Sequence, residues 1–176
     1  MSEIQEILRL NIRPKEKQTK LVESVSKKNI TADKLILFFK SASDVGKGTC
    51  ADVMKHVSIE SPEILVPYID TLIEYINYKA PRVKWGISEA IGNLAKKYPE
   101  KVEKAIPNLL TNTTENKINT TVVKWCAAYA LTEIAKNNPT TREQLLPIFL
   151  KITKTESNIG VKNVYAKALK IMTSIK

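Results

Sequence analysis

The chain has 176 residues, of which 43% are hydrophobic, and a formal net charge of +10. That length and balance fit one soluble globular domain with a continuous core, and exclude a disordered chain. Two distant cysteines, Cys50 and Cys126, exclude a disulfide scaffold, and no stretch reaches the roughly 18 apolar residues of a membrane span.

Residues 1–20 carry charges throughout (Glu3, Glu6, Arg9, Arg13) and no apolar run of the signal-peptide kind. With so few cysteines, a reducing cytoplasm is the expected location, and the N-x-T triplets at Asn29, Asn112 and Asn119 are not read as glycosylation sites. The positive charge is uneven: net +4 over residues 1–43, −3 over 44–80, +3 over 81–120 and +6 over 121–176. A basic C-terminal half points to nucleic acid or an acidic protein, or to lysines that merely solvate outer helix faces. Only four arginines are present, which weakens a phosphate clamp, because Arg is the better bidentate partner.

In chain order, residues 1–43 read as an irregular entry unit. Ser2 is placed to cap a short helix through Leu10, Pro14 separates the next, and Lys15 to Lys28 carries Leu21, Val22 and Val25 on one side. Thr31 then caps a strongly apolar helix containing Leu35, Ile36, Phe38 and Phe39. Residues 44–80 form a second helix pair. The spacing predicts a turn at S-D-V-G-K-G-T, a helix over T-C-A-D-V-M-K-H-V, and a second helix from Pro62 to Ile76. The G-K-G-T stretch lacks the full phosphate-loop spacing.

Residues 81–120 and 121–158 are the clearest units. Each opens with a long helix and continues through a proline turn, at Pro99 or Pro139, into a second helix containing Pro107 or Pro147. Those inner prolines should bend the second helices or mark a late start. The Asn- and Thr-rich stretch 111–121 reads as the loop between units. A last helix, Gly160 to Ile175, forms a terminal half-unit over 159–176. Its apolar side (Val161, Val164, Ala168, Leu169, Met172) packs on the preceding unit or mediates self-association.

The stretch that organises these units is V-K-W-C-A-A-Y-A-L-T-E-I-A, Val123 to Ala135. Val123, Ala127, Ala130, Leu131 and Ile134 share one helical face, its small residues let a neighbouring helix come close, and Lys124 and Glu133 fall away from it. The same pattern begins upstream at Val83 and returns downstream at Val161, so the two intervals are nearly equal. Repetition at this period signals a solenoid of helix pairs. The pattern V-[KR]-x-x-A-A-x-A-L-x-x-I-A at 123–135 and 83–95, with P-E-x-x-x-x-x-I-P-x-L-L at 99–110, resembles HEAT repeats of the armadillo type. The resemblance covers residues 44–176 and implies an all-α, right-handed superhelix of about four helix pairs plus a C-terminal helix. It also implies a non-catalytic scaffold that docks a protein partner on its curved surface.

Overlaying the repeats puts Trp85 and Trp125 at one position, Glu89 and Tyr129 a turn later, and Lys96 and Lys136 further on. The terminal copy supplies Asn163, Lys167 and Lys170, while Lys84, Lys124 and Lys162 form another row. Trp85, Glu89, Lys124, Trp125, Tyr129 and Lys167 are therefore the candidate binding residues, suited to a protein partner or to stacked bases and phosphates. Packing of the tryptophans between repeats is the structural alternative. One HEAT-like branch, the alkylpurine DNA glycosylases, uses an aromatic, a carboxylate a turn later and a cation from the next repeat. By that resemblance Trp85, Glu89 and Lys124 take those places. Glu replaces the branch's Asp, Lys its Arg, and Asn163 its second aromatic. No cofactor or metal is expected, and His56, the one histidine, supports no histidine-based chemistry.

Overall fold

The computed structural model describes residues 2–113 and 119–174, and among them there is no strand. In chain order the helices are α1 (Glu3–Arg9), α2 (Pro14–Ser26), α3 (Ala32–Ser41), α4 (Asp44–Glu60), α5 (Ile69–Glu74) and α6 (Pro81–Ala95). They continue as α7 (Pro99–Val102), α8 (Ile106–Leu110), α9 (Thr121–Asn137), α10 (Pro139–Thr155) and α11 (Ile159–Ser174). Helices α2, α4, α6, α9 and α11 contact one another in succession and form one layer. Against it pack α3, α5, α7, α8 and α10, giving the all-helical solenoid that the repeat period implies.

Local chemistry explains most helix starts. Ser2 and Gln5 form a capping box on α1, Thr31 accepts from the Lys34 amide at α3, and Pro14 opens α2. The turn predicted over residues 43–49 is instead the first part of α4. Ser43 caps it, its hydroxyl accepting from the Gly46 amide at 3.3 Å, and the Lys47 ammonium donates to the carbonyls of Lys40 and Ala42 at the end of α3. Gly48 is there for close approach, because a Cβ would meet the Arg82 side chain at 2.8 Å.

The helix predicted from Pro62 to Ile76 is also corrected. Two 3-10 turns, Pro62–Ile64 and Val66–Tyr68, precede α5, since Pro67 offers no amide proton to continue a helical ladder. The late start is seen at one of the two inner prolines. Pro107 begins the short α8 after a 3-10 turn, whereas Pro147 lies inside the continuous α10.

The layer is drawn together at two glycines. A Cβ on Gly86 would lie 2.9 Å from the Ala51 Cβ and 3.1 Å from its carbonyl carbon, so α4 and α6 touch nearly backbone to backbone. A Cβ on Gly92 would lie 3.0 Å from the Ala130 Cα and 2.7 Å from the Tyr129 ring, which brings α6 equally close to α9. Ala127, Ala128, Ala130 and Ala135 of α9 are fully buried. Glu133, expected to point away, is buried as well, and its carboxylate is neutralised by Lys136. On the apolar side of α11, Val161, Ala168 and Met172 are buried and Val164 and Leu169 half-buried, with α9 and α10 as the neighbours of that helix.

Polar side chains tie successive units together. The Asp52 carboxylate accepts from two Arg82 nitrogens at 3.0 and 2.5 Å, joining α4 to α6. In the loop before α9, Lys84 donates to the Asn119 side-chain oxygen at 2.9 Å, the Asn119 amide donates to the Asn112 side-chain oxygen at 3.0 Å, and Asn112 donates to the Ile76 backbone carbonyl at 2.9 Å. Residues 114–118 of that predicted loop lie outside the described residues. Asn112 and Asn119 are thus buried connectors between units.

Substitution tests both kinds of contact. Gly86→Val forces its branched side chain into Ala51 and should cost about 1–3 kcal/mol. Asn112→Ala orphans the Ile76 carbonyl and should cost about 1–3 kcal/mol. Urea unfolding followed by circular dichroism reads both, and an unchanged midpoint in either variant contradicts the corresponding contact.

Candidate functional site

The exposed face of the long-helix layer carries the candidate residues, and its inter-helix grooves differ from one another. Between α4 and α6, Lys55 reaches over. Its ammonium stands 5.2 Å from the Trp85 ring centroid and 3.8 Å from a Glu89 oxygen. Glu89 also accepts from the Cys126 thiol, across a 3.9 Å contact, so it is spoken for on both sides. Trp85 is only partly exposed, held under a cation rather than presented as a bare platform.

Between α6 and α9 the closing residue is Tyr129. Its ring lies over Gly92, the one residue type that leaves room for it. Its hydroxyl donates to the Asn93 side-chain oxygen at 2.6 Å, and the Lys96 ammonium stands 5.9 Å from its ring centroid. Asn93 in turn donates to the Ser58 hydroxyl at 3.0 Å and, over 3.3 Å, to the Lys55 carbonyl. One polar ladder therefore crosses α4, α6 and α9 beneath the surface.

Trp125 stacks on Tyr129 with ring centroids 5.9 Å apart and an interplanar angle of 5°. Trp125 is exposed, at 40%, whereas the equivalent Trp85 is only partly so. Beside this pair, between α9 and α11, lies a cleft of about 310 Å3. Trp125 and Tyr129 form one wall, Asn163, Val164 and Lys167 the other, and Thr132, Glu133 and Lys136 lie along the α9 side. Lys167 is exposed at the mouth.

The six sequence candidates thus separate into groups. Trp125, Tyr129 and Lys167 share the cleft, whereas Trp85 and Glu89 belong to the Lys55 cluster one groove away. Lys124 is half-buried and does not line the cleft. Lys55, Asn93 and Thr132 were not picked out by sequence reasoning. Asn93 carries a legible signal, a polar residue on the apolar side of a strongly repeating helix.

Burial, with the Glu89 carboxylate adding to it, pushes the Cys126 thiol up to about 12 and keeps it protonated at neutral pH. Burial, then the charges of Glu133 and Glu89, push the Tyr129 phenol up to about 12, so it serves as a hydrogen-bond donor. Among the described residues, no group of three His, Cys, Asp or Glu side chains gathers to hold a metal ion. No described helix is long and apolar enough to cross a membrane.

No protein-family model matches the chain, and no curated protein does. Among solved structures it is similar to an engineered protein from a structural genomics consortium, with a TM-score of 0.69 at 16% identity. That match covers 81% of this chain and 62% of the engineered one, so the chain spans less than two thirds of its length. A designed armadillo repeat protein matches with a TM-score of 0.67 at 17% identity, over 89% of this chain and 68% of that one. The resemblance to the glycosylase branch finds no support among these matches. At such identities the likeness concerns the backbone alone, and the chain has the armadillo/HEAT-type solenoid fold.

Proposed function

We propose that the protein is a non-catalytic docking scaffold that takes an acidic protein segment along the exposed face of α4, α6, α9 and α11. The observation that carries this reading is Trp125, open to solvent yet held rigid on Tyr129 beside a cleft with an exposed lysine at its mouth. A rigid aromatic next to a pocket supplies contact area at little entropic cost, which is why such residues dominate protein interfaces. Lysines set the sign of the partner. Glu89 and Glu133 are already neutralised by Lys55 and Lys136, leaving Lys96 and Lys167 to give the face its charge.

Net charge and the stacked aromatic pair also favour a second reading, binding to single-stranded nucleic acid. The arginines weigh against it. Arg82 is held by Asp52, Arg142 donates to the Ala135 and Lys136 carbonyls, and Arg13 is paired with Glu16. A phosphate backbone would then depend on lysine alone.

Calorimetric titration with peptides graded in net charge, and with single- and double-stranded oligonucleotides, separates the two. The docking reading predicts a preference for acidic peptides and, in Trp125→Ala, a loss on the order of tenfold, as for an interface anchor. Oligonucleotide binding that falls steeply with salt, with no peptide bound, contradicts it and selects the second reading.

A further inference from the structure

The phenols at two junctions of the solenoid differ in one respect. At the α6–α9 junction the Tyr129 hydroxyl donates to Asn93 at 2.6 Å. At the α10–α11 junction Tyr165 is fully buried, its ring tilted against Phe149 of α10 with centroids 5.0 Å apart. Among the described residues its hydroxyl has no hydrogen-bond partner. A second orphan lies in the turn between the two helices. Glu156 is buried there; one carboxylate oxygen accepts from the Asn158 amide at 2.8 Å, and Oε2 has no partner. Burial, and then the Glu156 charge, push the Tyr165 phenol above its ordinary range, so it stays a protonated donor.

A buried donor and a buried acceptor that do not meet lose the hydrogen bonds that water gives them when the junction parts. Apolar burial pulls the other way, since Val161, Ala168 and Met172 are buried on the same side of α11 as Tyr165. The seam with α9 adds less, because the cleft of about 310 Å3 runs along it. The α6–α9 seam has no such gap: there the backbones nearly touch at Gly92. Helix α11 is joined to α10 through residues 156–158, which are not helical and can take up a change of angle.

We propose that α11 is a hinged element that swings off α10 as one unit about residues 156–158, with the unmatched Tyr165 hydroxyl and Glu156 carboxylate setting how readily it opens. The α9 wall of the cleft stays fixed on α6 as α11 moves. Opening carries Asn163, Val164 and Lys167 away from Trp125 and Tyr129, so the joint governs the width of the cleft. The hinge stands on the packing between α10 and α11 and does not depend on what the exposed face binds.

Amide hydrogen exchange on the full chain, followed residue by residue across low urea concentrations, tests this. The amides of α11 should exchange through one shared opening with one urea dependence, and faster than those of α6 and α9. Tyr165→Phe keeps the ring and removes the orphaned hydroxyl, so it should slow α11 exchange on the order of tenfold. Glu156→Gln removes the buried charge, keeps an acceptor for the Asn158 amide, and should slow exchange as well. Exchange of α11 only together with α6 and α9 overturns the hinge, as does exchange graded from one end of the helix to the other. Faster or unchanged α11 exchange in either variant means that its polar group is satisfied in the closed form, and overturns the part assigned to the pair.

Discussion

The close approach of α4, α6 and α9 at Gly86 and Gly92 is the constraint on which the rest of the molecule depends. Helices whose backbones nearly touch have little room for interdigitating side chains, so the seam is built from glycine and alanine, with larger residues at its margins. That geometry sets what the surface can be. With the axes so near, residues at corresponding positions of neighbouring helices meet over the groove, and one side chain is enough to close it. Tyr129 does so over Gly92, and the Lys55–Glu89 pair does so one groove earlier.

A repeat protein of this kind gains its stability from contacts between neighbours, so each junction can be specialised without disturbing the others. Here the junctions form a series. The α4–α6 groove is closed by a cation over an indole beside a carboxylate, the α6–α9 groove by a tyrosine with a hydrogen-bonded hydroxyl, and a cleft opens between α9 and α11. The buried connectors Asp52–Arg82 and Asn112–Asn119 hold the junctions in register beneath the surface. An opening at one junction of an otherwise closed face has the form of a binding site on a rigid support.

The architecture was legible because the pattern at Val123 to Ala135 recurs at a near-constant spacing, and the period alone implies stacked helix pairs. Its surface was less so. Trp85 and Trp125 share one repeat position yet differ in exposure, because their difference comes from Lys55, which lies on a helix that does not repeat the pattern. Glu133 was read from its helical position as falling away from the apolar face, and it is nonetheless buried beside a paired lysine. The stretch with Gly46 and Gly48 was read as a turn from composition, whereas tertiary packing against Ala42 and Arg82 selected those glycines for a helix. Asn112 and Asn119 looked like loop residues because nothing local shows that they span two repeats. The open cleft could be named only once α9 and α11 were seen side by side.

The most direct measurement of the central claim is chemical-shift mapping on the isotope-labelled chain as an acidic peptide is added. The account predicts changes concentrated at the Trp125 indole and at the amides of Thr132, Gly160, Val164 and Lys167, with α7, α8 and α10 little affected. Changes confined to that opposite row of helices, or none at saturating peptide, would contradict it.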